Sequence, residues 1–293
     1  MNYQLLFAIS ISVTLGFTTF ATASADTSQQ PVAETIFFGG DILTIDGEQP
    51  EYVEALVVSG EKIIFVGGKE DSLSFADGKT ELIDLKGQTL IPGFVDPHSH
   101  VYGVGLQAMV TNVLPPPDGQ AKTVDDIVRL LSEAQTDPRY KAFIDSTGII
   151  MGFGYDDAEL DRYPLATDLD KVSTDKPVII IHTSGHLSVA NSAALSMFGI
   201  DANSKDPQGG VIRRKPGSME PDGVLGENAH FNVLFTLMGR FDDQLQDNML
   251  KAGQQLYAKY GYTTAQEGRA SQQAYDTIAR AAQRNELMLD VVA

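Results

Sequence analysis

The sequence predicts an α/β protein: a short β-rich segment, then a larger part in which helices and parallel strands alternate. Two observations predict it. Between residues 34 and 90 the apolar runs are short and are separated by turn residues such as Ser59-Gly60-Glu61-Lys62, the signature of successive hairpins. Beyond residue 90 apolar residues recur at three- and four-residue spacing, broken by strand-length apolar runs. Helix–strand–helix–strand order of that kind argues a parallel sheet covered by helices. With 43% hydrophobic and 20% charged residues in 293, the chain has the composition of a globular protein with a sizeable core.

The elements follow in order. Residues 1–25 carry no charged side chain, contain the apolar run LLFAISISVTLGF, and end at Ala23-Ser24-Ala25. The run is too short for a comfortable membrane span, and the small-x-small ending reads as a cleavable export signal. Residues 26–33 (DTSQQPVA) are expected to be a polar, disordered start of the mature chain. Residues 34–46 hold two apolar runs around Gly39-Gly40-Asp41, residues 53–67 a hairpin, and residues 81–90 a further short strand pair around Lys86-Gly87. Together they suggest a small β-sandwich or meander. Residues 90–96 (LIPGFVD) read as one apolar strand ending in Pro97-His98-Ser99-His100.

Thr123, with Asp126 three residues on, is a capping-box start, and Ile127, Leu130, Leu131 and Ala134 continue it at helical spacing. Residues 177–183 (PVIIIHT) suit a buried strand. Leu245, Met249, Ala252, Leu256 and Tyr260 mark a helix that Gly261 ends. Residues 262–267 (YTTAQE) are the next strand, Ala274, Ile278 and Ala281 the next helix, and residues 287–292 the last strand.

Charge and composition exclude several functions. Lys and Arg number 21 against 39 Asp and Glu, a net charge of −18. Such a chain is repelled by phosphate backbones and anionic headgroups, so neither nucleic acid nor, after signal cleavage, membrane is an expected partner. The absence of Cys rules out disulfides, thiolate metal sites and a Cys nucleophile.

The five histidines are His98, His100, His182, His186 and His230. His98 and His100 are two apart at a strand end, so both imidazoles project from one face and form half of a zinc-type site. His186 follows a strand end and is a candidate for the substrate pocket. His182, within that strand, reads as structural. Glu227 and His230 fall near a helix start, where a carboxylate commonly serves the helix N-terminus. Asp156 and Asp157 are adjacent, face opposite sides in an extended chain, and suit a turn or a cap. Gly209-Gly210 is a turn rather than a phosphate loop, because no Lys-Ser/Thr follows it.

The string Pro92-Gly93-Phe94-Val95-Asp96-Pro97-His98-Ser99-His100 resembles the first metal-binding strand of the amidohydrolase superfamily. Further strings resemble its amidohydrolase-3 group, which includes enzymes similar to N-substituted formamide deformylase. These are Gly154-Tyr155-Asp156-Asp157 (Tyr where the group has Trp), Asp168-Leu169-Asp170, Ser184-Gly185-His186, Asn191-Ser192-Ala193-Ala194-Leu195, Gly223-Val224-Leu225-Gly226-Glu227 and Gly261-Tyr262-Thr263-Thr264-Ala265-Gln266-Glu267.

The resemblance covers roughly residues 34–293. It implies a (β/α)8 barrel, preceded by part of a β-sandwich over 26–89 and occupying 90–293 with a long insertion over 101–240. It implies a divalent metal, expected to be Zn, held by His98 and His100, and hydrolysis of a carbon–nitrogen bond, amide or formamide, through metal-activated water. Asp96 fits either a carboxylate behind the imidazoles or a strand-end role. Glu267, at the end of a barrel strand, is expected at the active-site mouth.

The later-strand histidines and the strand-end general-base Asp of the family have no counterpart in the 293 residues, and about four strands are legible after Leu90. A truncated form with an incomplete barrel is therefore expected. The alternative to an exported, periplasmic or secreted hydrolase of a small amide-type substrate, able to form a homo-oligomer, is a non-catalytic remnant or binding module.

Overall fold

A computed structural model describes residues 31–293 of the chain. The export signal expected over 1–25 lies outside the described residues, as does most of the polar segment after it. The chain divides into two compact units, with the boundary between Pro92 and Gly93. No helix among the described residues is long and apolar enough to cross a membrane.

The first unit is a five-stranded sheet built from β1 (Thr35–Thr44), β2 (Glu51–Ser59), β3 (Lys62–Gly67), β4 (Glu81–Asp84) and β5 (Thr89–Leu90), with a one-turn helix α1 (Lys69–Ser72) and a 3-10 turn at Leu73–Phe75. Its order is β3-β2-β1-β4, with β5 also beside β1. The second layer that a sandwich needs is not among the described residues.

The hairpin expected over 53–67 is β2–β3. The two apolar runs of residues 34–46 form one strand with an irregularity between Phe38 and Ile42. The pair expected over 81–90 is not a pair: β4 and β5 both run parallel to β1. The reason is local. Leu85 N–H donates to Phe38 O and Gly87 N–H to Gly39 O, so the chain loops outward at Lys86 and Gly87 and resumes along the same strand edge. Ala33, Ile36 and Val57 form this unit's core, with Phe65 and Phe75 against it.

The second unit begins at β6 (Phe94–Asp96), because Pro92 interrupts the run expected to be one strand over 90–96; a proline supplies no N–H to a ladder. There follow α2 (Val101–Met109), β7 (Thr111–Asn112), α3 (Val124–Ala134), α4 (Pro138–Thr147), β8 (Ile150–Tyr155), α5 (Ala166–Leu169), β9 (Val178–His182), β10 (Leu187–Ala190), α6 (Ser192–Met197), β11 (Gly210–Arg214), β12 (Pro221–Glu227), α7 (Asn228–Met238), α8 (Asp243–Lys259), β13 (Tyr262–Gln266), α9 (Gln272–Gln283) and β14 (Asp290–Val292).

Nine strands thus follow Leu90 where about four were legible. Most of the difference lies in 101–240, expected as insertion, which carries a six-stranded sheet of order β11-β12-β10-β9-β8-β7. Strands β7, β8 and β9 of that sheet are parallel, while β10, β12 and β11 are antiparallel to their neighbours. A second sheet, β14-β13-β6, is wholly parallel. No closed barrel is found among the described residues.

Strand β9 shows how this unit packs. Val178 and Ile180 enter one core cluster and Ile179 and Ile181 the other, so alternate side chains serve opposite faces and the strand is apolar throughout. The capping box on α3 forms as its sequence predicts: Thr123 Oγ1 accepts from Asp126 N–H at 3.1 Å, and Asp126 Oδ2 accepts from Thr123 N–H at 3.1 Å.

Helix α2 crosses α8 with backbone close to backbone. A Cβ on Gly105 would strike the Met249 carbonyl, and one on Gly253 the Val101 carbonyl. This crossing, together with the β6–β13 pairing, carries the chain after His100 against the element that leads to Glu267.

Candidate active site

The two histidines lie just beyond β6, where the chain has left the regular strand. Asp96, at the end of β6, accepts through Oδ1 from His98 N–H at 3.2 Å and so holds the backbone that carries the imidazoles. Ser99, buried between the histidines, donates from Oγ to Gln266 O at 2.7 Å and accepts from Gln266 N–H at 2.8 Å. Gly268 N–H donates to Ser99 O at 2.9 Å. The His-Ser-His segment is thereby pinned to the end of β13, and both imidazoles face one cavity. Their ring centroids are 6.1 Å apart with planes at 77°. The sequence reading left Ser99 without a role. The available signal was period two, which turns the middle residue of His-x-His away from the face the histidines share.

Glu267 is brought to the same place. It follows β13, forms an isolated bridge with His100, and is only 6% exposed. Its Oε2 accepts from Tyr102 N–H at 2.7 Å, a first-turn amide of α2, where a carboxylate complements the helix dipole. Its Oε1 lies 3.7 Å from His100 Nδ1. Burial pushes the Glu267 carboxyl above its ordinary value. His98, His100 and Glu267 line a cavity of about 720 Å³ whose remaining wall is mainly apolar, with Phe153, Leu234, Phe235 and Met238, and carries Arg269.

His186 sits in the turn between β9 and β10. Its neighbour Gly185 lines the cavity, and its ring packs edge-on to Phe231 at 5.5 Å. His186 Nδ1 is 3.0 Å from Glu227 Oε2. Glu227 does precede α7, but its side chain makes no capping bond, and its backbone has φ 52° and ψ −124°. That conformation is sparsely populated for a residue with a Cβ. His230, one turn on, is 1% exposed. Neither of its ring nitrogens has a hydrogen-bond partner among the described residues, and burial pushes the imidazole down to about 4.

A second cluster lies at the ends of β8 and β9. Asp156 and Asp157 lie in the turn after β8, as their sequence suits, and there their carboxylates reach the same imidazole. Asp157 Oδ1 is 3.1 Å and Asp156 Oδ1 3.9 Å from His182 Nε2. Among the described residues this is the one group of three ligand-type side chains whose atoms lie within 4.8 Å of each other. Ser184 N–H donates to His182 Nδ1 at 3.0 Å, which makes Nδ1 an acceptor and places the neutral ring's proton on Nε2, toward the carboxylates. His182 Nε2 then carries its proton on the side of the carboxylates and offers no lone pair to a cation.

Residues 81–293 match the model of the amidohydrolase family. The chain is 32% identical over 230 residues to the exoenzymes regulatory protein AepA of Pectobacterium carotovorum subsp. carotovorum, covering 76% of this chain and 45% of that protein. It is 28% identical over 198 residues to the N-substituted formamide deformylase of Arthrobacter pascens, covering 67% and 34%. Among solved structures, an uncharacterized metal-dependent hydrolase from Pyrococcus furiosus superposes with a TM-score of 0.63 at 22% identity, over 88% of this chain and 49% of that one. The chain spans about half or less of the length of each of these proteins.

Proposed function

The chain belongs to the amidohydrolase family, in its amidohydrolase-3 group, and on that premise we propose that it serves metal-dependent hydrolysis of a carbon–nitrogen bond in a small amide or formamide. The observation that carries this reading is the convergence of His98, His100 and the buried Glu267 on one largely apolar cavity. The donor set fits a divalent metal: two imidazoles and a carboxylate are oxygen and nitrogen ligands that zinc accepts, and zinc is the metal we assign.

A divalent metal held there supplies Lewis acidity, which lowers the pKa of water and polarises a carbonyl. The chain's own residues do the rest. His98 and His100 present ring nitrogens. Ser99 and Asp96 hold the backbone between and before them. Glu267 stands where it can join the ligands or accept a hydrogen bond from His100 Nδ1–H, the partner a ligating imidazole ordinarily has. The apolar wall excludes water from the rest of the substrate.

The parallel β14-β13-β6 sheet, with α9 between β13 and β14, supports reading the second unit as part of a (β/α)8 wall, with the histidines at its C-terminal end. The uncharged segment 1–25 supports export to the periplasm or beyond. N-terminal sequencing of the expressed protein should begin at Asp26; a product retaining Met1 in the cytoplasm would overturn export.

The test of the site is metal content measured beside turnover of N-formyl and N-acyl amines. The purified chain should retain zinc, and a His98→Ala, His100→Ala double variant should lose most of it. Unchanged metal in the double variant would refute the ligand assignment. Hydrolysis that persists in that variant would refute the reaction site.

A further inference from the structure

We infer that Ser184 is an activated nucleophile, with His182 as its base and Asp157 behind that base, and that it accepts an activated acyl or phosphoryl group reaching it from solvent. This goes beyond the hydrolase reading and does not rest on it. Of the turn between β9 and β10, Gly185 lines the cavity of His98 and His100, while Ser184 is exposed. Ser184 Oγ is 2.8 Å from His182 Nδ1, and His182 Nε2 is 3.1 Å from Asp157 Oδ1. A weak nucleophile within hydrogen-bond reach of a base, with a third group orienting that base, is the arrangement that activates a hydroxyl. Its members are defined by role and not by their order in the chain, and either ring nitrogen serves as the base when the other carries the proton.

The hydrogen bonds set the proton positions. Ser184 N–H donates to the same Nδ1 at 3.0 Å, so that nitrogen is an acceptor and the serine hydroxyl donates to it. The ring proton sits on Nε2 and meets the Asp157 carboxylate, which stabilises the imidazolium formed when Nδ1 takes a second proton. Asp156 Oδ1, 3.9 Å from Nε2, adds to that field. Tyr155, wholly buried, packs edge-on to the imidazole at 5.1 Å and 77° and limits its rotation. His186 N–H donates to Ser184 Oγ at 3.2 Å. That bond fixes the hydroxyl oxygen and leaves it a second lone pair for attack.

The step is a group transfer. Oγ forms a bond to the carbonyl carbon or to phosphorus, and its proton passes to His182 Nδ1. The leaving group departs with its bonding pair, and His182 returns the proton to it or to solvent. The turn restricts what can react. The amides of Thr183, Ser184, Gly185 and His186 donate to Tyr155 O, His182 Nδ1, His182 O and Ser184 Oγ. None is free to receive an oxyanion, a contact worth about 10²–10³ in rate where it exists. The reactive class is therefore a compound whose leaving group is good enough to do without that contact. Unactivated amides and peptides fall outside it.

The experiment is labelling of the whole chain with diisopropyl fluorophosphate, followed by intact mass and peptide mapping. EDTA is present throughout, so metal-activated water plays no part. One adduct per chain should form, on Ser184 with release of fluoride, and none should form in the chain unfolded in urea. Ser184→Ala should abolish the adduct, and with it the nitrophenolate burst that the wild type gives with p-nitrophenyl acetate. His182→Gln can still accept from the Ser184 amide but offers no base, and should slow labelling by at least about 100-fold. Asp157 acts through His182 and is a positioning residue. Asp157→Asn should slow labelling by at least about tenfold, and Asp157→Glu should restore part of the rate, a rescue that a purely structural role does not give.

No adduct on the folded wild type, an adduct on another residue with Ser184 unmodified, or an unchanged rate in His182→Gln would each overturn the inference. The first two are read on the wild-type chain, so the outcome does not depend on a variant that folds. A burst retained in Ser184→Ala would overturn the acyl transfer, and an unchanged rate in Asp157→Asn would overturn the part given to Asp157.

Discussion

Glu227 and His230 show how single residues around the cavity carry costs that the fold must offset. Glu227 holds a left-handed backbone with an unusual ψ, a conformation that costs about 1–3 kcal/mol for a residue with a Cβ. Its link to His186 joins two half-exposed side chains, and such pairs contribute at most about 1 kcal/mol. Glu227→Ala and Glu227→Gly lose that link equally, but only glycine relieves the backbone. The glycine variant should unfold at the higher urea concentration, by about 1 kcal/mol after its own entropy cost; the reverse order would show that the backbone there is unstrained.

His230 makes the pH dependence. The folded protein holds it neutral down to about 4, whereas the unfolded chain binds a proton near the ordinary value of about 6.5. Its contribution is therefore complete above about pH 6.5 and is lost as pH falls toward 4, about 2 kcal/mol of it between pH 7 and pH 5. Denaturant midpoints of the wild type should drop over that interval. In His230→Leu, which removes an imidazole with no hydrogen-bond partner, the drop should shrink by that amount. Identical slopes in the two proteins would exclude His230 as the cause.

At the scale of elements, the family strings act largely as joints. Asn191 is buried and uses both ends of its amide. Its Oδ1 accepts from Ala194 N–H at 2.8 Å, capping α6, and from Val178 N–H at 2.9 Å, while Nδ2 donates to Ser173 O and Lys176 O. One side chain thus closes the start of β9, the end of β10 and the helix that follows. Asn191→Ala strands buried backbone groups, each costing about 1–3 kcal/mol, and removes a cap worth about 1 kcal/mol. We expect a loss of about 3–4 kcal/mol in equilibrium unfolding, with Asn191→Asp, which keeps both acceptor bonds, losing clearly less. Asp168 plays a similar part: it is buried and paired through both oxygens with Arg162 at 2.7 Å. That pair holds its carboxyl below the ordinary range.

For the molecule as a whole, the candidate metal site joins residues far apart in sequence, so binding and folding are coupled. His98 and His100 stand 167 residues from the segment that positions them, as the Ser99–Gln266 bonds show. A ligand that binds only the folded state stabilises it by about 2.7 kcal/mol at a hundredfold excess over its dissociation constant. Added zinc should raise the thermal midpoint of the wild type and have no such effect on the His98→Ala, His100→Ala variant. Equal shifts in both would mean that zinc binds elsewhere, with Asp156, Asp157 and His182 the first place to look. Ser99→Ala, which keeps both imidazoles but frees the segment from β13, should weaken the zinc-dependent shift without abolishing it.

Sequence alone determined what depends on local chemistry: the capping box at Thr123, the buried strand at 177–183, the helix that Gly261 ends, the His-x-His pair and the family. Each rests on neighbours in the chain, where period and residue type suffice. Tertiary structure decided the rest. The segment at 81–90 reads as a hairpin by its turn, yet both its strands pair with β1, because backbone amides are indifferent to which strand supplies the carbonyl. Asp156, Asp157 and His182 look unrelated in sequence and converge only because β8 and β9 lie side by side. Glu267 could be placed at a strand end but not beside His100, since that proximity comes from the β6–β13 pairing and the glycine-to-backbone crossing of α2 on α8. A partner 167 residues away leaves no periodic trace in either segment, and only folding the chain brings the two together.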